Sequence, residues 1–235
     1  MKKQLLILLL FSLFCKLDAY AQYQGTKLLT FDRKKYHFGF ALGLNTADFN
    51  YSFNLDSTNT DSIVNITVNS QPGFNLGIVS SWNINQNIHL RFIPSLSFQE
   101  REFVYNYKFK GEVLERVSRL NSTTLDFPIM LKLRTKRIGN FAAYFLTGLQ
   151  YSLDLQTQSN NAIDINNPTS KMKQYDFSYQ FGGGFDFFQE YFKLGLELKI
   201  SNGILDVNIH DDTFYTKPIT FLNTKVWWFS ITFEG

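Results

Sequence analysis

His37, His89 and His210 are the side chains best suited to ligate a metal or move a proton near neutral pH. They are scattered, with no second histidine at helical or strand spacing. The single cysteine, Cys15, lies in a leader segment, so no transition-metal donor set can be assembled from these residues. All three read as surface or rim histidines. His210-Asp211-Asp212-Thr213 comes nearest to a base beside an acid and a hydroxyl, the set that a hydrolase at an outer rim would use. Neighbours in sequence on an exposed loop are ordinarily solvated charges, and no catalytic residue is assigned. Gly182-Gly183-Gly184 has the composition of a phosphate cradle, but it sits inside a strand pattern with no helix after it. It reads as relief of crowding or a bend in a wall. No cofactor or metal follows from any of these motifs.

The elements that hold these residues are set by composition. The chain of 235 residues has a formal charge of +3, too little to hold nucleic acid by bulk charge. Its aromatic content is high, with 25 Phe, 12 Tyr and 3 Trp, so rigid rings supply much of the apolar surface. Lys2 and Lys3 precede an apolar run from Leu5 to Phe14, and Ala19-Tyr20-Ala21 has the small-x-small form of a signal-peptidase site. The expected leader is therefore residues 1–21, and it is too short to serve as a bilayer-spanning helix. Export would remove Cys15, leaving no thiol for disulfide, nucleophile or metal.

After Gln22 no helical period of useful length appears, while period-two alternation recurs. Phe192, Leu194, Leu196, Leu198 and Ile200 alternate with Lys193, Gly195, Glu197 and Lys199. The pattern predicts eight strands: Lys35 to Asn45, Pro72 to Asn83, Ile88 to Arg101, Ser122 to Arg134, Phe141 to Asp154, Gln174 to Phe187, Phe192 to Ser201 and Asn223 to Phe233. Most are about the 9 to 11 residues of a tilted membrane-crossing strand. Their connections alternate strictly between long and short. Long ones fall at Thr46 to Gln71, Glu102 to Asn121, Leu155 to Lys173 and Asn202 to Leu222, and short ones at Ile84 to Asn87, Thr135 to Asn140 and Phe188 to Tyr191. That is the pattern of an all-β, eight-stranded antiparallel up-and-down transmembrane β-barrel, with residues 22–34 as a periplasmic N-terminal segment and 35–235 as the barrel. Since the first connection is long, both termini are expected in the periplasm.

A soluble barrel of lipocalin type also alternates, so the faces must be assigned by size. The interior of an eight-stranded barrel is just wide enough to be filled by side chains. One face here carries Phe, Tyr, Leu or Trp at nearly every position, too much bulk for that lumen, and it is expected to meet the lipid bilayer. Tyr151, Tyr175, Tyr191 and Trp227 then fall where interfacial girdles belong. The other face places Arg91, Asp126, Lys132, Asp186, Glu197 and Lys199 in the lumen, with Arg134 and Lys193. Unpaired charge there is costly, so these groups are expected to pair across the barrel as a structural plug. A wide porin is excluded, because that needs about 16 strands. At the C-terminus, Trp227, Phe229, Ile231 and Phe233 form an alternating tail with Glu234 and Gly235 beyond it. That tail resembles the signal by which outer-membrane barrels are recognised for insertion.

Specific stretches resemble a family. Val117-Ser118-Arg119-Leu120-Asn121-Ser122-Thr123-Thr124-Leu125-Asp126-Phe127-Pro128-Ile129-Met130-Leu131-Lys132-Leu133-Arg134, then Tyr144-Phe145-Leu146-Thr147-Gly148, are similar to the PorT family of Bacteroidetes outer-membrane barrels. Gly183-Gly184-Phe185-Asp186-Phe187-Phe188, Glu197-Leu198-Lys199-Ile200-Ser201-Asn202-Gly203-Ile204 and the ending Phe229-Ser230-Ile231-Thr232-Phe233-Glu234 agree with its later strands. The resemblance implies a small OmpX/OmpA-like barrel without enzymatic activity, needed by the type IX secretion system. Its partners would be the outer-membrane bilayer and other secretion-system proteins, with no nucleic acid and no cofactor.

Overall fold

A computed structural model describes residues 27–28, 30–53, 63–109, 112–156, 172–209 and 219–235. The expected leader, residues 1–21, and His210 to Thr213 lie outside the described residues. Nine strand segments follow in chain order: β1 Tyr36–Phe53, β2 Ile63–Asn83, β3 Ile88–Phe92, β4 Ser95–Phe109, β5 Glu112–Arg134, β6 Phe141–Asp154, β7 Tyr175–Phe188, β8 Lys193–Gly203 and β9 Ile219–Glu234. Every pairing is antiparallel, and β1 pairs both β2 and β9, which closes the sheet on itself. The ring has eight staves, because β3 and β4 are one stave interrupted at Ile93-Pro94. Proline has no N–H to give a ladder, and here its carbonyl accepts from Ile78 N–H at 3.0 Å instead. The fold is the eight-stranded antiparallel up-and-down barrel that the alternation predicts.

The short connections are tight turns. Asn85 Oδ1 accepts the N–H groups of Asn87 and Ile88, each at 2.8 Å, which closes the β2–β3 turn. Gly139, at φ +60°, supplies the left-handed residue between β5 and β6. Both described ends of the chain lie at this turn end of the barrel.

At the opposite end the strands are longer than predicted. Of the stretch Glu102 to Asn121, expected as a loop, residues 102–109 and 112–121 are instead paired antiparallel strand, with the register running to Phe109 opposite Glu112. β1 likewise extends to Phe53, β2 begins at Ile63 and β9 begins at Ile219. The reason is that a strand needs a partner for its backbone and not an apolar outer face. Beyond the greasy belt the outward residues turn polar, so the alternation fades while the pairing continues. Of Leu155 to Lys173 only the ends are described.

Side-chain direction follows the two sides of the pleat. In the middle of the ring Phe38, Phe40, Leu42 and Leu44 are exposed, whereas His37, Ala41 and Asn45 are buried. Above the level where β1 and β2 part, at Ala47 opposite Gln71, the interior changes character. Phe49, Ile66, Phe103, Tyr105, Ile219 and Leu222 turn inward and form one apolar cluster, with Val207 from the segment after β8. The expectation that the lumen face is polar throughout is corrected there: the long-hairpin end is closed by an apolar cap. Two sheets, β2-β4-β5 and β1-β9, fold over this cap much as in a sandwich.

Candidate functional site: the interior of the barrel

The interior holds three layers that follow one another from the turn end upward. The first is a cap made by the segment before β1. Its single 3₁₀ turn, Phe31–Arg33, places Phe31 against Phe188 and stacks it on His37 with ring centroids 3.6 Å apart. Asp32 Oδ1 accepts from Arg134 Nη2 at 2.8 Å, and the Lys27 N–H donates to Asn140 Oδ1 at 2.8 Å. Arg134 thus pairs with the N-terminal segment, and with the Gln86 carbonyl oxygen at 2.9 Å, in place of the cross-barrel partner expected from the sequence. His37 and His89 are not rim residues: both are buried, and both bond to the Asn83 side chain. Asp32→Ala is expected to free this segment, accelerating tryptic cleavage after Lys27 and Arg33 while the barrel keeps its heat-dependent gel mobility.

The second layer is ionic. Arg91, on β3, is fully buried and reaches two carboxylates, Glu197 of β8 and, at 3.2 Å, Glu234 of β9. Lys193 Nζ lies 2.8 Å from Glu234 Oε2 and 3.9 Å from Asp186 Oδ2. Lys132 Nζ lies 2.8 Å from Asp186 Oδ2, and Lys199 Nζ 3.2 Å from Glu197 Oε2. The Tyr144 hydroxyl donates to Glu197 Oε1 at 3.1 Å, and its ring lies under Lys132 Nζ at 3.5 Å. The tyrosine fits because its neighbours across the wall are small. A Cβ on Gly184 would stand 2.6 Å from the Tyr144 hydroxyl oxygen. Strands β3, β5, β6, β7, β8 and β9 all contribute, so the layer ties staves that are far apart in sequence. Sharing carboxylates among cations is what makes so many charges tolerable in a dry interior.

Four of the six residues singled out from the sequence, Arg91, Lys132, Asp186 and Glu197, meet in this layer, and Lys199 joins them at its edge. Asp126 does not. It accepts from the Ser97 hydroxyl at 2.6 Å and the Thr124 hydroxyl at 3.3 Å, with no cation in ion-pair range among the described residues. Hydroxyls there replace the cross-barrel partner that its charge had suggested. Glu234 was passed over as a residue beyond the last strand, yet it lies within β9 and is buried. The signal was available: Trp228, Ser230, Thr232 and Glu234 share one parity.

The third layer is polar and lies between the ions and the apolar cap. Arg101 donates to Gln99 Oε1 at 2.8 Å and lies over the Phe49 ring at 4.6 Å. Asp176 is bonded by the Thr224 hydroxyl, and Trp228 Nε1 donates to Ser201 Oγ at 3.1 Å. Among the described residues this layer holds a chamber of about 40 Å³ beside Arg101, Gln150 and Asp176 and another of about 20 Å³ beside Asn75, Gln180 and Ser230. Each has room for one or a few waters and none for a larger solute. Among the described residues no group of three or more His, Cys, Asp or Glu side chains could hold a metal ion.

Comparison with known proteins places this architecture. The outer membrane protein beta-barrel domain matches residues 20–208. The outer membrane protein OprG of Pseudomonas aeruginosa superposes with a TM-score of 0.51 at 14% identity, covering 86% of this chain and 95% of its own. Ail, the attachment invasion locus protein of Yersinia pestis, solved with the heparin analogue sucrose octasulfate, gives a TM-score of 0.40 at 12% identity over 86% of this chain and 100% of its own. No curated protein matches the sequence. A closed ring with rings outside and ions inside, matched over most of its length, has one explanation: the chain belongs to the outer membrane protein beta-barrel domain family, and its apolar belt faces the lipid of the outer membrane.

Proposed function

We propose that this barrel acts by contact, neither conducting solutes nor catalysing a reaction, and that the apparatus it serves is the type IX secretion system. The observation that supports a contact role is the filled lumen. Among the described residues an N-terminal cap, an ionic layer and an apolar cap succeed one another along the axis, with chambers of about 40 and 20 Å³ between the last two. The secretion assignment rests on the resemblance of Val117 to Arg134 and of the later strands to the PorT family. In this reading residues 1–21 are a cleaved leader, both termini face the periplasm, and the lumen charges are structural. Deleting the gene should abolish export of cargo bearing the conserved C-terminal domain. Undiminished export would overturn the secretion role without touching the fold.

A second reading, a general barrel with binding loops, is favoured by one observation. β2, β4 and β5 continue past the ring as a three-stranded sheet, carrying Asn65, Thr67 and Asn106 on its outer face. Under either reading the belt must stay apolar. Leu76, exposed near mid-belt, is the place to test it: Leu76→Arg should cost about 2–4 kcal/mol of folding stability in phospholipid vesicles, read by urea titration. A soluble barrel would tolerate that exposed arginine.

A further inference from the structure

The triple glycine, unsuited to phosphate, has a consequence on the outside of the wall. Gly182 and Gly184 face the lumen, and Gly183 faces outward between Phe181 and Phe185, opposite Phe145 on β6 and Leu198 on β8. With no side chain at Gly183 and only a methyl at Ala143, the belt is indented at this point. The indentation is a groove of about 670 Å³ whose rim includes Phe181, Phe185, Leu198, Trp227 and Phe229. That volume lies within the range of small-molecule sites.

We infer that this groove is a discrete site for one acyl chain of a membrane glycerophospholipid. It is continuous with the belt that meets lipid, so a hydrocarbon chain is the molecule available to fill it. Its outward-facing rim, including Leu196 and Ile200, is wholly apolar; Glu197 and Lys199, on the same strand, point into the lumen and pair with each other. The site therefore selects a tail and not a headgroup. In a bilayer no hydrophobic force distinguishes protein from neighbouring lipid, and the gain comes from packing against rigid walls. Rings fixed on a β-wall around a glycine floor provide those walls, where a flat stretch of belt would meet mobile tails on one side only.

The test uses Trp227 as the reporter, in a Trp82→Phe background, with Trp228 buried in the lumen. The protein is folded into vesicles of dioleoylphosphatidylcholine in which a rising fraction of the lipid carries brominated chains. A single resident tail predicts quenching linear in that fraction, half of the full loss being reached when half of the lipid is brominated. Leu198→Phe fills the groove from an already exposed position, and should convert the line into the steep early loss of a ring touched by several exchanging tails. Gly183→Ala is the poorer probe, since its Cβ would stand 3.1 Å from the Tyr144 carbonyl oxygen. Ala143→Leu, at the other end of the groove, is the second filler. A steep curve in the starting protein, or an unchanged line in both fillers, would overturn the inference. Protection of Trp227 from quenching together with a cross-linked dimer would overturn it too, by showing a second copy in the groove.

Discussion

Arg91→Met is expected to remove about 3–5 kcal/mol from the stability of the barrel, because it leaves Glu197 and Glu234 buried without their shared cation. Arg91 has no exposed surface, so water cannot replace it. Lys193 still neutralises Glu234, and Lys199 still reaches Glu197, which keeps the cost from running higher. The measurement is urea unfolding in vesicles, followed by tryptophan emission and by gel mobility of unheated samples. Removing the acids as well, in Arg91→Met with Glu197→Leu and Glu234→Gln, should recover much of the loss, since a buried charge is costly mainly when its partner is taken away. An Arg91→Met barrel as stable as the parent would mean that the ions are not desolvated.

Phe103→Ala should have an effect of similar size, about 3–5 kcal/mol, confined to the long-hairpin end. Phe103 is buried in the apolar cap, stacked on Phe49 with centroids 5.6 Å apart and on Tyr105 at 6.2 Å. The ring below is held by its own ladders and ions, so the cap should open without unfolding the barrel. Amide exchange is then expected to accelerate in Val64 to Ser70 and Arg101 to Tyr105, with the strands between Phe141 and Ser201 unchanged. Uniform acceleration would show that cap and ring unfold together.

These two residues mark how far the sequence could be read. Arg91 was legible because it interrupts an apolar row inside a strand of membrane length, and such a strand has a defined inner face. Phe103 was not, because it follows Arg101 and Glu102, and a run of charges ordinarily marks the end of a strand. Carrying the parity of Gln99 and Arg101 onward to Phe103 and Tyr105 would have shown the inner face turning from polar to apolar. The rule of polar inside and apolar outside belongs to lipid, and it reverses where water surrounds the wall. The histidines escaped for a different reason. His37 and His89 look isolated in sequence, and only the closed ring brings both to Asn83 and sets Phe31 upon His37. No local pattern encodes a contact between a segment outside the first strand and the turn-end interior.

The meeting of β9 with β1 has a further consequence for biogenesis. β9 supplies Glu234, the counter-charge shared by Arg91 and Lys193, and it is also the stave that completes the circle. A half-assembled curl lacking that stave would hold four cations, Arg91, Lys132, Lys193 and Lys199, against two carboxylates, Asp186 and Glu197. Zipping the seam halves the positive surplus in the same act that saturates the edge hydrogen bonds, which makes closure self-proofreading: a wrongly registered last strand would forfeit both at once.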